Sequence, residues 1–200
     1  MLKNGPKHRT CRRVGAALCG RPNCPSEKRP YPPGQHGRGR KRISEYQTRL
    51  LEKQKLRAIY GVGEKQMRGY YDRATRSTGV TGEEMLRQLE RRLDTICLRL
   101  GFALTTSQAR QLVSHGHVSV NGKRIDVPSA QARAGDEITL SAKARNFVYV
   151  REALEITPNP PVYLYRNKDE VSGSFTRLPE RDEIPLPVPI EERMIVEFYS

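Results

Sequence analysis

The sequence predicts an α+β protein, and three features of the chain support this class. Apolar residues recur at three- and four-residue steps between residues 83 and 100, which is typical of an amphipathic helix. The alternating stretch GHVSVNGKRIDV has Asn121-Gly122 at its centre, which predicts a tight β-hairpin. Short β-prone stretches follow residue 140. We therefore expect helices through most of the chain and short strands toward its C-terminus.

The first helix of the central region is expected to start near Glu83. Thr81 and Glu84 are spaced as a reciprocal capping pair, which satisfies two of the free N–H groups at a helix start. Gly101 should end the helix. Its apolar face should consist of six residues at helical spacing: Leu86, Leu89, Leu93, Ile96, Cys97 and Leu100.

A second, shorter helix should begin at Thr106 or Ser107, either of which can cap it, and end at Gly116. Its apolar side should hold Ala109, Leu112 and Val113. The opposite side and the hairpin tip should form a polar, basic surface that includes Gln108, Arg110, Gln111, His115, Lys123 and Arg124. His115 and His117 flank Gly116, where they can bond a phosphate or cap helix carbonyls, and both interpretations stay open.

The composition of the chain indicates the kind of partner it binds. Its 200 residues carry a formal net charge of +14, and 36% of them are hydrophobic. This surplus of positive charge favours a polyanionic partner, for which nucleic acid is the obvious candidate. A membrane is disfavoured because no long apolar span and no strongly amphipathic face is evident. The N-terminus lacks the apolar segment of a signal peptide, so we expect a cytoplasmic, reducing setting without disulfides.

Three of the four cysteines lie near the N-terminus, where few apolar residues are available to form a core. His8-x-x-Cys11 and Cys19-x4-Cys24 supply two closely spaced ligand pairs, the pattern of a tetrahedral Zn²⁺ site. The alternative is that these are ordinary reduced thiols and a surface histidine. An iron–sulfur cluster is the alternative metal centre, although an imidazole ligand favours zinc. Cys97 lies on an apolar helix face and should be a small buried residue.

A proline-rich stretch and then a glycine-rich basic stretch follow the cysteines. The run Tyr31-Pro-Pro-Gly34 predicts extended chain ending in a turn. In GQHGRGRKR, glycines separate cationic residues and let the backbone approach a phosphate chain closely. We interpret this stretch as a flexible RNA clamp, with a solvated basic loop as the alternative. Its cations, here named the basic arm, are Arg38, Arg40, Lys41 and Arg42.

Ser44 and Gln47 predict the start of a helix that runs through Tyr60 and ends at Gly61. Its cations exceed what Glu52 can neutralise, so this helix should face RNA. Those cations are Arg49, Lys53, Lys55 and Arg57. Another helix follows, and its aromatic residues are more typical of a core than of a base-stacking platform. The apolar face of that helix is expected to hold Met67, Tyr70, Tyr71 and Ala74.

Beyond residue 140, a helical stripe precedes the β-prone segments. The stripe consists of Phe147, Val148, Val150 and Leu154. The segments VYLYR, SGSFTRLP and MIVEFYS predict short strands. Glu180, Asp182 and Glu183 form an acidic run that is unusual in so basic a chain. Because phosphates repel carboxylates, this run predicts a protein-facing patch, with a solubilising loop as the alternative.

The sequence gives no sign of catalysis. It contains no Walker loop, GxSxG elbow, HExxH helix or dinucleotide fingerprint. We therefore expect neither an enzyme nor a small-molecule substrate. A sequence-specific DNA-binding zinc protein is also disfavoured, because the order of cysteines, recognition helix and histidines in a zinc finger is absent.

Four segments resemble the family of small-subunit ribosomal protein four. RRLDTICLRLGFALTTSQARQLVSHGHVSVNGKRIDVPS resembles the helix-helix-hairpin RNA-binding module that carries the family's name. RPYPPGQHG, LLEKQKLRAIYGV and IVEFYS resemble bacterial members in the same order and at nearly the same spacing, so the resemblance covers nearly the whole chain. It implies a structural constituent of the small ribosomal subunit that binds 16S rRNA first, nucleates assembly of the 30S body and contributes to translational accuracy.

The resemblance also implies a domain organisation. Residues 1–42 would hold the metal knuckle and the basic arm. Residues 43–85 with 141–200 would form a mostly helical domain with a short C-terminal β element, and residues 86–140 an inserted helix-helix-β-hairpin RNA-binding module. Metal-binding members usually present four cysteines, and His8 stands where the first would be. The acidic run would face the fifth small-subunit protein.

The same module occurs in pseudouridine synthases and tyrosyl-tRNA synthetases, so an RNA-modifying enzyme or another RNA-binding factor is the alternative function. Under the preferred interpretation, the protein works on the ribosome in the cytoplasm and binds rRNA through two basic surfaces, residues 38–57 and 107–124. The residues expected to bind RNA are Arg38, Arg40, Lys41, Arg42, Arg49, Lys53, Lys55, Arg57, Ser107, Arg110, Gln111, His115, His117, Asn121, Lys123 and Arg124.

Overall fold

The computed structural model describes residues 7–19, 23–39, 42–167, 169 and 171–200. Helices and one antiparallel sheet make up the described chain, which confirms the α+β class. Two units are distinguished: Met1–Met85 with Leu186–Ser200 (unit 1) and Leu86–Pro185 (unit 2). In the described part of the chain, no helix combines the length and apolar character that crossing a membrane requires.

The helices differ widely in length. In chain order they are α1 (Lys7–Val14), α2 (Pro25–Lys28), α3 (Glu45–Tyr60), α4 (Glu64–Ala74), α5 (Thr81–Glu90), α6 (Leu93–Arg99), α7 (Thr106–Ser114), α8 (Ala142–Arg145), α9 (Val148–Ile156) and α10 (Glu192–Tyr199).

In unit 1, α3 has the limits that its sequence predicts. Ser44 Oγ accepts a hydrogen bond from the Gln47 N–H (3.2 Å), and Gly61 ends the helix with a φ of 62°. The core of this unit includes Leu56, Tyr60, Val62, Met67, Tyr70, Ala74, Met85 and Ile195. The expectation that Tyr70 belongs to a core is therefore confirmed.

The last segment of the chain differs from its prediction, because MIVEFYS lies in α10 rather than in a strand. Ile195 and Tyr199 are four residues apart and buried, and the helix packs against α3 and α4. A run of β-prone residues forms a helix here because its apolar positions also fit helical spacing, and packing outweighs intrinsic preference.

The single helix expected from residue 83 to residue 100 is two helices, α5 and α6, separated by an extended Arg92 (φ −64°, ψ 137°). The Leu93 N–H donates to the Ala130 carbonyl (2.9 Å) and the Asp94 N–H to the Pro128 carbonyl (3.2 Å). A remote loop therefore satisfies free N–H groups at the start of α6. All six residues of the predicted apolar face are buried, including Cys97.

α7 begins at Thr106, as predicted, but its cap is Thr105 rather than Thr106 or Ser107. Thr105 Oγ1 accepts a hydrogen bond from the Gln108 N–H (3.2 Å). The hairpin forms as predicted, and its two turn residues, Asn121 and Gly122, have φ values of 49° and 76°. These positive angles match the tight turn that an Asn-Gly pair favours.

The sheet lies in unit 2. Its strands are β1 (Val118–Val120), β2 (Lys123–Ile125), β3 (Glu137–Leu140), β4 (Leu164–Asn167) and β5 (Ser172–Phe175), in the order β2-β1-β3-β5-β4. β3 pairs with β5, with Ile138 opposite Gly173. This pairing draws β4 and β5 into unit 2. The structure thus groups residues 141–185 with the hairpin, whereas the expected organisation grouped them with residues 43–85.

Candidate metal centre and basic surfaces

Four side chains meet near the N-terminus. His8 and Cys11 lie three residues apart on α1, Cys19 lies in the following loop, and Cys24 precedes α2. Their ligand atoms all lie within 4.8 Å of one another, with His8 Nδ1 3.8 Å from Cys19 Sγ and 3.6 Å from Cys24 Sγ. Sulfur ligands about 2.3 Å from a tetrahedral ion lie about 3.8 Å apart, so this donor set fits one metal ion. The structure brings together the four residues that the sequence selected.

Two of the thiols have shifted pKa values. Burial, and then the charge of Cys19, raises the pKa of the Cys11 thiol to about 11. Burial acts in the same direction on Cys24, but hydrogen bonds from the hydroxyl and N–H of Ser26 and from His8 outweigh it and lower the Cys24 pKa to about 6. Cys24 is therefore a thiolate at neutral pH, whereas Cys11 needs a nearby cation to become one.

Tyr31 connects the metal-ligand cluster to the basic arm. Its ring centroid lies 4.9 Å from Arg12 Cζ and 5.0 Å from Arg38 Cζ. Arg12 Nε also donates to the Tyr31 carbonyl (3.2 Å), and Arg38 Nη2 donates to the Tyr31 hydroxyl (3.2 Å). Because Arg12 follows Cys11 on α1, this double cation–π contact links the position of the arm to the order of the cluster.

The rest of the basic arm is described in part. Arg38 and Arg42 are exposed, whereas Arg40 and Lys41 lie outside the described residues. A side chain at Gly37 would collide with the Pro32 carbonyl, so glycine is required where the chain folds back on the proline run.

On α3, Lys53 does not lie on the surface where the sequence placed it. It is 4% exposed, and its Nζ donates to Glu64 (2.9 Å). Its ammonium also lies 4.0 Å from the centroid of the Phe198 ring. The same Glu64 pairs with Arg57 (2.9 Å) and accepts a hydrogen bond from the Tyr199 hydroxyl (2.8 Å). The prediction that Lys53 faces outward is therefore wrong, because α4 and α10 cover it with a carboxylate and aromatic rings.

The other two cations of α3 are also paired. Arg49 Nε donates to Glu197 (3.0 Å), which lies on α10, and Lys55 pairs with Glu52. The prediction from the sequence considered only Glu52 as a carboxylate that could neutralise these cations. The fold supplies carboxylates from later in the chain, so this helix is less cationic than its sequence indicates.

In unit 2, Arg110 of α7 is held by Asp94 rather than pointing freely to solvent. Its Nε and Nη2 lie 3.0 and 2.7 Å from Asp94 Oδ2. Asp94 also accepts from Arg92 Nε (2.9 Å) and Nη2 (2.7 Å), and these two residues are 4% and 1% exposed. One buried carboxylate thus joins two guanidinium groups across α6 and α7. The predicted solvent-facing position of Arg110 is corrected accordingly.

At the hairpin, Lys123 and Arg124 are exposed, and neither has a carboxylate partner within the described part of the chain. Asn121 has a structural use, since its Nδ2 donates to Asp136 Oδ1 (2.8 Å) and its Oδ1 accepts from the Glu137 N–H (2.9 Å). A side chain at position 116 would collide with the Arg124 guanidinium, so a glycine there leaves room for this cation.

Two histidines lie beside this cationic tip. His115 is exposed, and His117 is half-buried with its Nδ1 3.4 Å from Ser141 Oγ. Burial lowers the pKa of His117, and the charges of His115, Lys143 and Arg124 lower it further. The lowered pKa favours the neutral form of the His117 ring, which contacts the Ser141 hydroxyl.

Some predicted residues keep their expected surface position, and some residues near them were missed. Ser107 and Gln111 are exposed on α7. Phe147 contacts the His117 ring, Tyr149 stacks on Phe147, and the charge of Lys143 acts on His117, but these three residues were not candidates from the sequence. The available signal was a pair of aromatic residues two positions apart after a basic run, but the helical spacing of Phe147 indicated a core stripe instead.

The acidic run belongs to unit 2, and the carboxylates of Glu180 and Glu183 form a reciprocal capping box. Glu183 accepts hydrogen bonds from Arg177 Nη1 (2.8 Å) and from the Glu180 N–H (2.9 Å). These contacts hold a short 3₁₀ helix, Arg181–Glu183. Glu180 and Asp182 are exposed, so the run keeps a negative surface.

The fold and the sites together define a basic α+β protein with an N-terminal metal-ligand cluster and a helix-helix-hairpin module. Family models match the chain over residues 3–90, as the ribosomal protein S4/S9 N-terminal domain, and over residues 91–138, as the S4 domain. The small ribosomal subunit protein uS4 of Thermus thermophilus is 48% identical over 205 residues, covering 98% of this chain and 97% of that protein. The uS4 protein of Thermoanaerobacter sp. is 46% identical over 202 residues, with the same coverage. The chain belongs to the uS4 family of small ribosomal subunit proteins.

Proposed function

We propose that the protein is a structural constituent of the small ribosomal subunit that binds 16S rRNA and nucleates assembly of the subunit body. The observation that carries this function is the similarity to uS4 over 98% of the chain at 48% identity. The role is structural rather than catalytic, and it is carried out on the ribosome in the cytoplasm. By the same family relation, we propose a contribution to translational accuracy.

Binding rests on charge and geometry. Lys123 and Arg124 project from the hairpin without a carboxylate partner in the described chain, and Arg38 and Arg42 are exposed in the basic arm. Each cation that neutralises a phosphate releases a condensed counterion, which favours association at low salt. Fixed positions on a folded scaffold then hold the RNA in one arrangement.

The residues proposed to bind RNA differ in how directly they can do so. Direct contacts are proposed for Arg38, Arg40, Lys41, Arg42, Ser107, Gln111, His115, His117, Lys123 and Arg124. Arg49, Lys55 and Arg57 already pair with carboxylates, and we propose that they contact RNA while keeping these partners. An indirect role is proposed for Lys53, Arg110 and Asn121, because their side chains bond other groups of the protein.

Chemical footprinting of small-subunit rRNA, with and without the protein, tests this function. We expect a discrete set of protected nucleotides that fades as salt rises, with log K falling by about 0.7–0.9 per neutralised phosphate for each unit of log salt. Duplex DNA should compete poorly. An absence of protection, or equal competition by DNA, would contradict the proposal.

We propose Zn²⁺ as the ion held by His8, Cys11, Cys19 and Cys24, with an iron–sulfur cluster as the alternative. Support comes from the compact donor set and from the imidazole ligand, which favours zinc over a cluster. A bound ion would cross-link α1 to the loop before α2, in a segment with little apolar core. Structural zinc contributes on the order of 10–16 kcal/mol in small metal-dependent folds.

Elemental analysis with native mass spectrometry decides the identity of the metal. One zinc per chain is expected. It should be lost in Cys19→Ser and retained in Cys97→Ser, because Cys97 lies in the core of unit 2 and is not one of the four ligands. Finding iron with acid-labile sulfide would instead identify the site as an iron–sulfur cluster. Metal-free protein with undiminished rRNA protection would remove the site from the proposal.

We further propose that the acidic run faces the fifth small-subunit protein. Exposed Glu180 and Asp182 would be repelled by phosphates and favour a basic protein surface. Replacing both by lysine should weaken binding to that protein while leaving protection of naked rRNA unchanged. If protein binding and rRNA protection fell equally, the acidic run would not be a surface specific to the fifth small-subunit protein.

A further inference from the structure

Four rings in unit 2 form a continuous series, here named the aromatic strip. The His115 and His117 ring centroids are 6.3 Å apart, and those of His117 and Phe147 are 5.2 Å apart with an edge-to-face arrangement. The Phe147 and Tyr149 centroids are 5.5 Å apart, and their planes differ by 26°. The strip joins the end of α7 to the start of α9.

The strip reaches solvent although part of it packs on the core. Phe147 and Tyr149 are partly buried and contact the apolar core of unit 2. His115 is exposed, and Val148, between the two larger rings, is 71% exposed. A core role alone would favour burying these rings fully. Their partial exposure leaves aromatic surface for a ligand.

Cations accompany the strip. Arg124 lies against Gly116, the residue between His115 and His117 in the sequence. The charge of Lys143 lowers the pKa of His117. Both cations are exposed, and the described chain offers neither of them a carboxylate partner. Aromatic rings interleaved with unpaired cations are the combination that single-stranded RNA requires, since bases stack on the rings and phosphates bond the cations.

We propose that the aromatic strip binds unpaired nucleotides of the RNA, with one or two bases stacking on Phe147 and Tyr149. Arg124 and Lys143 neutralise the adjoining phosphates. This inference rests on the proposed rRNA-binding function and adds to it a site for single-stranded segments. A protein partner fits less well, because Arg124 and Lys143 pair with no carboxylate among the described residues, and such a surface favours a polyanion.

Leucine substitution separates stacking from charge. The double variant Phe147→Leu, Tyr149→Leu keeps apolar contact with the core but has no aromatic faces. Using the full-length, metal-loaded protein and a short oligouridylate, we expect affinity to fall about fivefold or more for each base stack lost. The slope of log K against log salt should stay unchanged, because stacking releases no counterions. Lys143→Gln should instead reduce that slope by about 0.7.

A fluorescence test keeps the proposal falsifiable if the leucine variant folds poorly. The chain contains no tryptophan, so Tyr149→Trp introduces a single reporter. Oligouridylate should quench its emission, whereas the matched reporter in Val162→Trp, at a position that is 75% exposed in the same unit, should not respond. Equal responses, or no response at position 149, would overturn the proposal.

Footprinting of rRNA distinguishes failure of the strip from failure of the proposed function. If the unmodified protein protects rRNA and the leucine variant shows the same protection and the same oligouridylate affinity, the strip is not an RNA site. If the unmodified protein gives no protection, the ribosomal function itself fails. Selective loss of a few single-stranded protections in the folded leucine variant is the supporting result.

Discussion

α3 and the hairpin both carry several cations in sequence, but the fold treats them differently. On α3, Arg49, Lys53 and Arg57 each bond a carboxylate of α4 or α10, and Lys53 is buried. At the hairpin, Lys123 and Arg124 are exposed and lack such a partner in the described residues. Whether a basic residue can bind RNA is therefore decided in part by acidic residues that lie far away in the chain.

The two arrangements have different energetic consequences. A buried cation must keep its partner, because an uncompensated buried charge costs several kcal/mol. An exposed, unpaired cation contributes little to folding and gains its largest interaction when a phosphate arrives. Substitutions should therefore divide into those that change stability and those that change the salt dependence of binding.

The largest effect is expected for Asp94→Asn, which removes the carboxylate between Arg92 and Arg110. Breaking a buried ion pair by removing one partner typically costs about 3–5 kcal/mol, and Asp94 is 4% exposed. Urea unfolding of the metal-loaded protein should show this loss. Asp126→Asn, at an exposed position after β2, is the matched control and should change stability by about 0.5 kcal/mol or less. Similar stability of the two variants would show that the carboxylate bridge is dispensable.

The next effect compares Lys53→Met with Lys123→Met. Methionine keeps much of the apolar stem, so Lys53→Met should lose the Glu64 bond and about 1–3 kcal/mol of stability. Its salt slope for rRNA binding should be unchanged. Lys123→Met should keep its stability and reduce the slope by about 0.7–0.9. If both variants reduced the salt slope by the same amount, the distinction between α3 and the hairpin would be refuted.

Local features of the fold could be predicted because their causes lie within a few residues. The cap at Ser44, the glycine that ends α3 and the Asn121-Gly122 turn depend on neighbouring side chains and backbone angles. The apolar face of α5 and α6 follows from spacing alone. The metal ligands were found for a similar reason, since each pair is close in sequence.

Features that depend on remote contacts could not be predicted. The break before α6 needs the carbonyls of Pro128 and Ala130, and the position of Lys53 needs α10 to supply its rings. The sequence of α10 is typical of a strand, although its apolar positions also fit helical spacing, and its packing against α3 and α4 favours the helix. The aromatic strip joins His117 to Phe147, which lies thirty positions later in the chain, so no local pattern marks the strip as a whole.

Tyr31→Leu should have a smaller effect, confined to the basic arm. Without the ring, Arg12 and Arg38 lose their cation–π contacts, and we expect trypsin to cleave after Arg38 more quickly. Affinity for rRNA should fall about two- to fivefold, because the arm must then be ordered on binding. Tyr31→Phe keeps the ring, so its cleavage rate and rRNA affinity should lie between those of the unmodified protein and of Tyr31→Leu. The metal content should be unchanged in both variants. Unaltered cleavage would show that Tyr31 does not order the arm.

The smallest effect concerns pH and Glu64, the carboxylate that pairs with Lys53. Burial raises its pKa, but hydrogen bonds from Lys53 and Tyr199, with the charge of Arg57, outweigh burial and lower the pKa below its ordinary 4.5. Since the folded-state pKa is the lower one, Glu64 stabilises the fold above pH 4.5, and this stability is lost as pH falls through the folded-state value. Glu64→Gln keeps an acceptor oxygen that still bonds the Lys53 ammonium, so the buried cation is not left without a polar partner. Because the Glu64 side chain is also half exposed, the difference at neutral pH should be only about 0.2–1 kcal/mol. Urea unfolding at a series of pH values should show this difference shrinking in acid, while Glu152→Gln on α9 matches the unmodified protein throughout. A difference that grew as pH fell would reverse the assigned sign and remove Glu64 as the partner that neutralises Lys53.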